Sequence, residues 1–225
     1  MNIERIKLPR YKPVLRRSFI LETCKNKRVL HLGCTDSPFT VDRLRDGSLL
    51  HLQICEVSER NVGIDIDAEA INLLNENGIS DAFVCDAINA GQLMQKLAFT
   101  PDIVVVGEIL EHLPNPGYCL SNLATFLDPD VSLLVSVPNA LFVRSIAHLA
   151  LGYEKTHPDH VAFYSPVTLH RLLSSSGFVV DRILPYTQVH TGFKQKLLAA
   201  IEKLFLWWQP YFSQGLIALA HTEKK

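Results

Sequence analysis

Nine residues, RVLHLGCTD at Arg28–Asp36, constrain this chain more than any others. A run of β-formers ends there in a glycine turn, and about thirty residues later a second apolar run, VGIDID at Val62–Asp67, ends in aspartate. A glycine at such a turn lets a ligand approach the backbone closely, because no Cβ stands in the way. A carboxylate at the end of the next strand can accept hydrogen bonds from a ribose diol. The pattern continues twice more, in FVCDA at Phe83–Ala87 and in DIVVVGEILEHLPNP at Asp102–Pro116. Together these are the skeleton of a nucleotide-binding α/β fold.

Strand patterns fall near residues 28–33, 61–66, 82–85, 102–107, 131–137, 178–184 and 215–221. Helical patterns fill the gaps at Pro38–Arg45, Leu49–Ser58, Ala68–Asn77 and Ser121–Leu127. Alternation of this kind predicts a mostly parallel sheet covered by helices on both faces. Ser37-Pro38 reads as the cap and first residue of its helix. At 225 residues and 48% hydrophobic content the chain can build one substantial core, so one domain with decorations is expected.

The four motifs, in this order and spacing, resemble the class I S-adenosylmethionine-dependent methyltransferases from about Arg28 to the C-terminus. The resemblance implies a Rossmann-like, seven-stranded, mostly parallel sheet with an antiparallel edge strand. It places the cofactor's methionine part at Gly33 and its neighbours, its ribose at Asp65 and its adenine at Asp86, with Cys34, Ile66 and Ala87 lining the cofactor through backbone or packing and Glu108 also bordering it. The chain departs from the family in the first turn, where Thr35 and Ser37 stand in for glycines and His31 replaces a common acid.

The first 28 residues hold nine Lys or Arg against two Glu, whereas the whole chain is near neutral at −1. Residues 1–27 therefore read as a basic arm, able to meet phosphate or anionic lipid or to lie solvated, ahead of a methyltransferase domain at 28–225. The near-neutral total argues against a dedicated nucleic-acid binder. Five cysteines without a C-x-x-C pair suggest neither a zinc site nor a disulfide framework, and fit a cytoplasmic protein. No apolar run approaches the roughly 20 residues that span a bilayer. An amphipathic helix is expected at 193–209, where Leu197, Leu198, Ile201, Leu204, Phe205 and Trp208 form a stripe with Trp207 beside it. Packing on the domain, a homodimer contact and a peripheral membrane contact are its three readings.

Methyl transfer from a sulfonium requires alignment of the acceptor and, for a hydroxyl, removal of a proton. Glu108, Glu111 and His112 are spaced to share one face of a helical turn after the fourth strand. The long aromatic segment 139–166, read as a substrate-covering insertion, brings His157-Pro158-Asp159-His160. His112 and His160 are the catalytic candidates. The E-x-L-E-H pattern is similar to that of the ubiquinone-pathway O-methyltransferases. It is also similar to that of the metal-dependent small-RNA 2′-O-methyltransferases, which implies Mg²⁺ or Mn²⁺ on Glu108, Glu111, His112 and His160. The metal-free alternative uses a histidine as base. The acceptor expected is a small molecule: a metabolite, a lipid precursor or a sugar hydroxyl. A catalytically silent cofactor-binding scaffold stays open because the first turn has lost glycines beyond Gly33, whereas a dinucleotide oxidoreductase lacks its G-x-G-x-x-G.

Overall fold

The computed structural model describes residues 5–90, 92, 97–189 and 202–223. Its elements in chain order begin with strand β1 (Val14–Leu15), helix α1 (Arg16–Cys24) and strand β2 (Arg28–Leu32). Helices α2 (Thr40–Arg45) and α3 (Leu50–Val57) lead to β3 (Arg60–Asp65), α4 (Ala68–Glu76), β4 (Ala82–Val84) and β5 (Ile103–Gly107). Then come α5 (Pro116–Phe126), β6 (Ser132–Pro138), α6 (Val143–Ala150), α7 (Pro166–Ser175), β7 (Phe178–Thr187) and β8 (Gly215–Thr222).

One sheet runs in the order β1-β7-β8-β6-β5-β2-β3-β4. All neighbours pair in parallel except β8, which runs antiparallel to both β6 and β7. The antiparallel strand thus occurs as expected, and the two-residue β1 outside β7 adds an eighth strand. The central strands β2 and β5 are nearly continuous runs of buried Val, Leu and Ile, as strands covered on both faces must be. On one face Leu120 and Leu123 of α5 and Leu169 and Leu173 of α7 pack on Val104, Val106, Leu133 and Val135. On the other, Ile20 and Cys24 of α1 and Ile54 of α3 cover Val29, Ile103, Val105 and Leu134.

The N-terminal region is more than a basic arm. From Val14 it is part of the fold, pairing with β7 and burying Ile20 and Cys24 completely. The i, i+4 spacing of Ile20 and Cys24 puts both on the buried face of α1, and that burial outweighs the region's charge. Helix α2 begins at Thr40, later than Pro38. The Ser37 hydroxyl bonds the Asp67 carboxylate instead of capping the helix. Helix α5 begins at Pro116, where the Asn115 side chain accepts a hydrogen bond from the Tyr118 amide. Of the expected helix at 193–209, residues 193–201 lie outside the described part, and 202–208 are helical. No helix among the described residues is long and apolar enough to cross a membrane.

Candidate active site

The carboxyl ends of β2, β3, β4 and β5 come together along one edge of the parallel sheet, the position where such sheets bind ligands. Gly33 follows β2 with φ +74°, and a Cβ added there would lie 2.8 Å from the Ile109 side chain. Both restrictions favour glycine. The turn is tied to β3, since the Gly33 and Cys34 amides donate to Ile64 O at 2.8 and 3.2 Å. Cys34 itself is buried, with its thiol pushed up by burial and by the Asp65 charge, so only its backbone borders the turn.

Asp65 ends β3 half-buried. Its Oδ2 accepts from the Thr35 amide at 3.1 Å and the Thr35 hydroxyl at 2.7 Å, and its Oδ1 from the Asp67 amide at 3.1 Å. Thr35, buried where the family carries a glycine, therefore orients this carboxylate. Ile66 beside it is 72% exposed, an apolar surface at the position assigned to the base-and-ribose end of a cofactor. Asp86 follows β4, and its Oδ1 caps a short 3-10 turn at Ala87–Asn89 by accepting from the Ile88 amide at 3.0 Å.

After β5 the chain departs from the expected helical turn. Glu108 has φ +57°, a conformation uncommon for a residue with a side chain and concentrated at functional sites. Residues 108–112 accordingly form an irregular turn in place of the helical one. The Tyr186 hydroxyl donates to Glu108 Oε1 at 2.9 Å, and the Arg16 Nε lies 3.6 Å from the same oxygen. Glu111 is buried, and neither carboxylate oxygen has a hydrogen-bond partner. Burial, reinforced by the Glu108 charge, pushes its carboxyl up to about 8, so it is mostly protonated at neutral pH.

His112 is exposed and meets the insertion. Its ring centroid is 4.8 Å from that of His160 and 5.9 Å from that of His157. Nitrogens of His112, His157 and His160 all lie within 4.8 Å of one another. The structure therefore unites His112 with His160, adds His157, and leaves Glu108 and Glu111 outside this group. Partial burial lowers the His160 pKa, helped by the neighbouring His112 and His157 and opposed by the Glu108 and Asp159 charges. Its imidazole is accordingly neutral and able to accept a proton at pH 7. The insertion is anchored by its own backbone, because Val161 and Ala162 amides donate to Glu111 O and the Tyr164 hydroxyl donates to Leu110 O.

Sequence reasoning missed Arg16. Its Nε donates to Ser136 Oγ at 3.0 Å, and its Nη2 lies 3.0 Å from where a Gly107 Cβ would be. The side chain is only 16% exposed, at the carboxyl end of β5. A guanidinium there can hold the carboxylate end of a cofactor. The available signal was the basic residue opening a helix directly before β2. His31 was noted only as a substitution. It is buried against His51, with the two Nδ1 atoms 3.3 Å apart, beneath Gly63, where any Cβ would meet His51 Nε2 at 2.5 Å.

Residues 7–183 match the model of a family described as methyltransferase domain. The chain belongs to that family. A ubiquinone biosynthesis O-methyltransferase of Burkholderia pseudomallei is 26% identical over 167 residues, covering 70% of this chain and 66% of that protein. The chain thus spans about two thirds of the length of the curated relatives it matches first. Among solved structures, a SAM-dependent methyltransferase from Archaeoglobus fulgidus superposes with a TM-score of 0.55 at 18% identity, covering 92% of this chain and 94% of that one. The magnesium protoporphyrin IX methyltransferase of Synechocystis PCC 6803, with bound SAH, gives 0.56 at 14% identity, covering 92% and 82%. These structures share the Rossmann-like methyltransferase fold with this domain.

Proposed function

We propose that this protein is an S-adenosylmethionine-dependent methyltransferase acting on a hydroxyl of a small acceptor: a metabolite, a lipid precursor or a sugar. The observation that carries this reading is the meeting of His112 and His160 at the same sheet end as Gly33, Asp65 and Asp86. The cradle fits the cofactor: Gly33 leaves room for its methionine part, Arg16 offers a cation to its carboxylate, Asp65 faces its ribose, and Asp86 with Ile66 and Ala87 borders its adenine. The bound cofactor supplies a methyl group on a good leaving sulfur. The protein then has to exclude water, align the acceptor and take its proton, and His160, held neutral, is the base, with His112 beside it to orient the acceptor.

A second reading follows from the histidine group. Three imidazoles suit a transition ion such as Zn²⁺ or Fe²⁺, whereas Mg²⁺ prefers oxygen ligands. A Mg²⁺ or Mn²⁺ site on Glu108, Glu111, His112 and His160 would instead require the buried Glu111 carboxyl to ionise. A thermal-shift series with S-adenosylmethionine, S-adenosylhomocysteine and NAD tests the cofactor. The two sulfur compounds should raise the melting temperature and NAD should not; stabilisation by NAD alone would refute the proposal. With an acceptor in hand, the histidine-base reading expects full activity in chelator and a loss of roughly 10²–10⁴ in rate for His160→Ala. Loss of activity in chelator, restored by one added ion, would favour the metal.

A further inference from the structure

An apolar surface outside the site has no partner among the described residues. Helix α6 buries none of its residues, and every residue from 146 to 159 is exposed. Leu149 and Leu151 are 67% and 74% exposed. The helical residues 202–208 present a second such face, with Leu204 exposed and Trp207 and Trp208 exposed by 79% and 66%. The two faces adjoin. Arg144 near the start of α6 pairs with Glu202 at the start of the second helix. Asn139 ahead of α6 donates to the carbonyls of Tyr211 and Ser213 just beyond it.

Acidic residues are sparse around the exposed leucines and tryptophans, with Glu154 and Asp159 at the far end of the exposed stretch. Residues 139–153 and 203–213 contain no Asp or Glu, and Glu202 is matched by Arg144. The N-terminal segment lies against the tryptophan end, because the Arg10 guanidinium donates to Trp208 O at 2.7 Å and Trp207 O at 3.4 Å. That segment carries Arg5, Lys7, Arg10 and Lys12, all exposed, with no acid among residues 5–13. Exposed indole rings, leucines and a flanking basic segment are the two attractions that reversible binding to an anionic bilayer needs, apolar insertion and charge. A second copy of the chain meeting this surface face to face would set the basic segment against its own counterpart.

We propose that α6, the helix 202–208 and the basic segment 5–12 form a docking surface for an anionic lipid bilayer. Docking there brings the insertion that carries His157 and His160 to the membrane surface, whatever the acceptor. Because Trp207 and Trp208 are the chain's two tryptophans, intrinsic emission reads this surface alone. The full chain is mixed with phosphatidylcholine vesicles, with and without about one third phosphatidylglycerol. The expected result is co-sedimentation and a blue shift of tryptophan emission with the anionic vesicles, on the order of ten-fold tighter than with neutral ones and weakened by salt. Leu149→Asp with Leu151→Asp should abolish both signals while circular dichroism stays unchanged, since both side chains are exposed. Lys7→Glu with Lys12→Glu should remove the preference for anionic lipid. Three outcomes would overturn the proposal: no shift with either vesicle, equal binding to both, or a lipid-independent blue shift accompanied by a doubled mass in light scattering, which would make the face a contact between two copies.

Discussion

Asp65 already accepts three hydrogen bonds from the chain, two from Thr35 and one from the Asp67 amide. A carboxylate has about four lone-pair sites, so the turn both aims this group and leaves it room to accept from a ligand. Asp65→Ala should therefore act twice: it should weaken S-adenosylhomocysteine binding by about 1–3 kcal/mol and cost about 1 kcal/mol of stability through the orphaned turn donors. Calorimetry and denaturant melts separate the two effects. Thr35→Val should show the stability loss with the affinity within roughly three-fold of the parent; unchanged affinity in Asp65→Ala would mean that the ribose binds elsewhere. Arg16 belongs to the same scale. Arg16→Met should weaken S-adenosylhomocysteine on the order of ten-fold or more, through loss of a charge-assisted bond. It should leave 5′-methylthioadenosine, which has no carboxylate, unaffected. Equal losses for both ligands would assign Arg16 to packing around Glu108 and Ser136 only.

Helix α5 shows what makes an element readable. Asn115 and Pro116 are a cap and a first helical residue in their usual order, and Asn115→Ala should cost about 1 kcal/mol in a denaturant melt. No change would mean that the helix start is held by its packing alone. The apolar pattern alone predicts a start at Ser121, whereas the Asn115-Pro116 pair sets it at Pro116. The parallel strands were legible because they are buried on both faces and read as continuous apolar runs. Helix α1 was not, since nine basic residues in a short stretch mask the few apolar ones that it buries. The kink at Glu108 could not be read at all. The Glu108 carboxylate is held by partners distant in sequence, Tyr186 and Arg16, and residues 108–112 form an irregular turn where the spacing predicts a helical one. Conversely, His157 stood in plain view beside His160, and only the path of the insertion reveals that it reaches His112.

The molecule as a whole carries buried titratable groups on both sides of the sheet, and their signs oppose. On one side His31 and His51 are buried and share a hydrogen bond that requires at least one neutral ring. Burial lowers His51 to about 4 and His31 well below its ordinary value, the latter helped by His51 and Arg16. Between pH 4 and about 6.5 the unfolded chain binds protons that the folded chain does not, so these histidines make stability fall as pH drops through that window. For His51 alone the effect is about 3 kcal/mol. Glu111 has the reverse sign. Its carboxyl is raised to about 8 by burial, so from about pH 4.5 to 8 the folded chain holds a proton that the unfolded chain has released, and stability falls as pH rises. Above about 6.5 the histidines are neutral in both states, and Glu111 governs this limb alone. Melting temperature against pH should therefore peak near pH 6 and decline towards 8. Glu111→Gln, which keeps the shape without the titration, should flatten the alkaline limb and leave the acid limb in place. An alkaline limb unchanged in Glu111→Gln would show that the carboxyl meets water or a cation in solution, and would return it to the set of groups available to a metal.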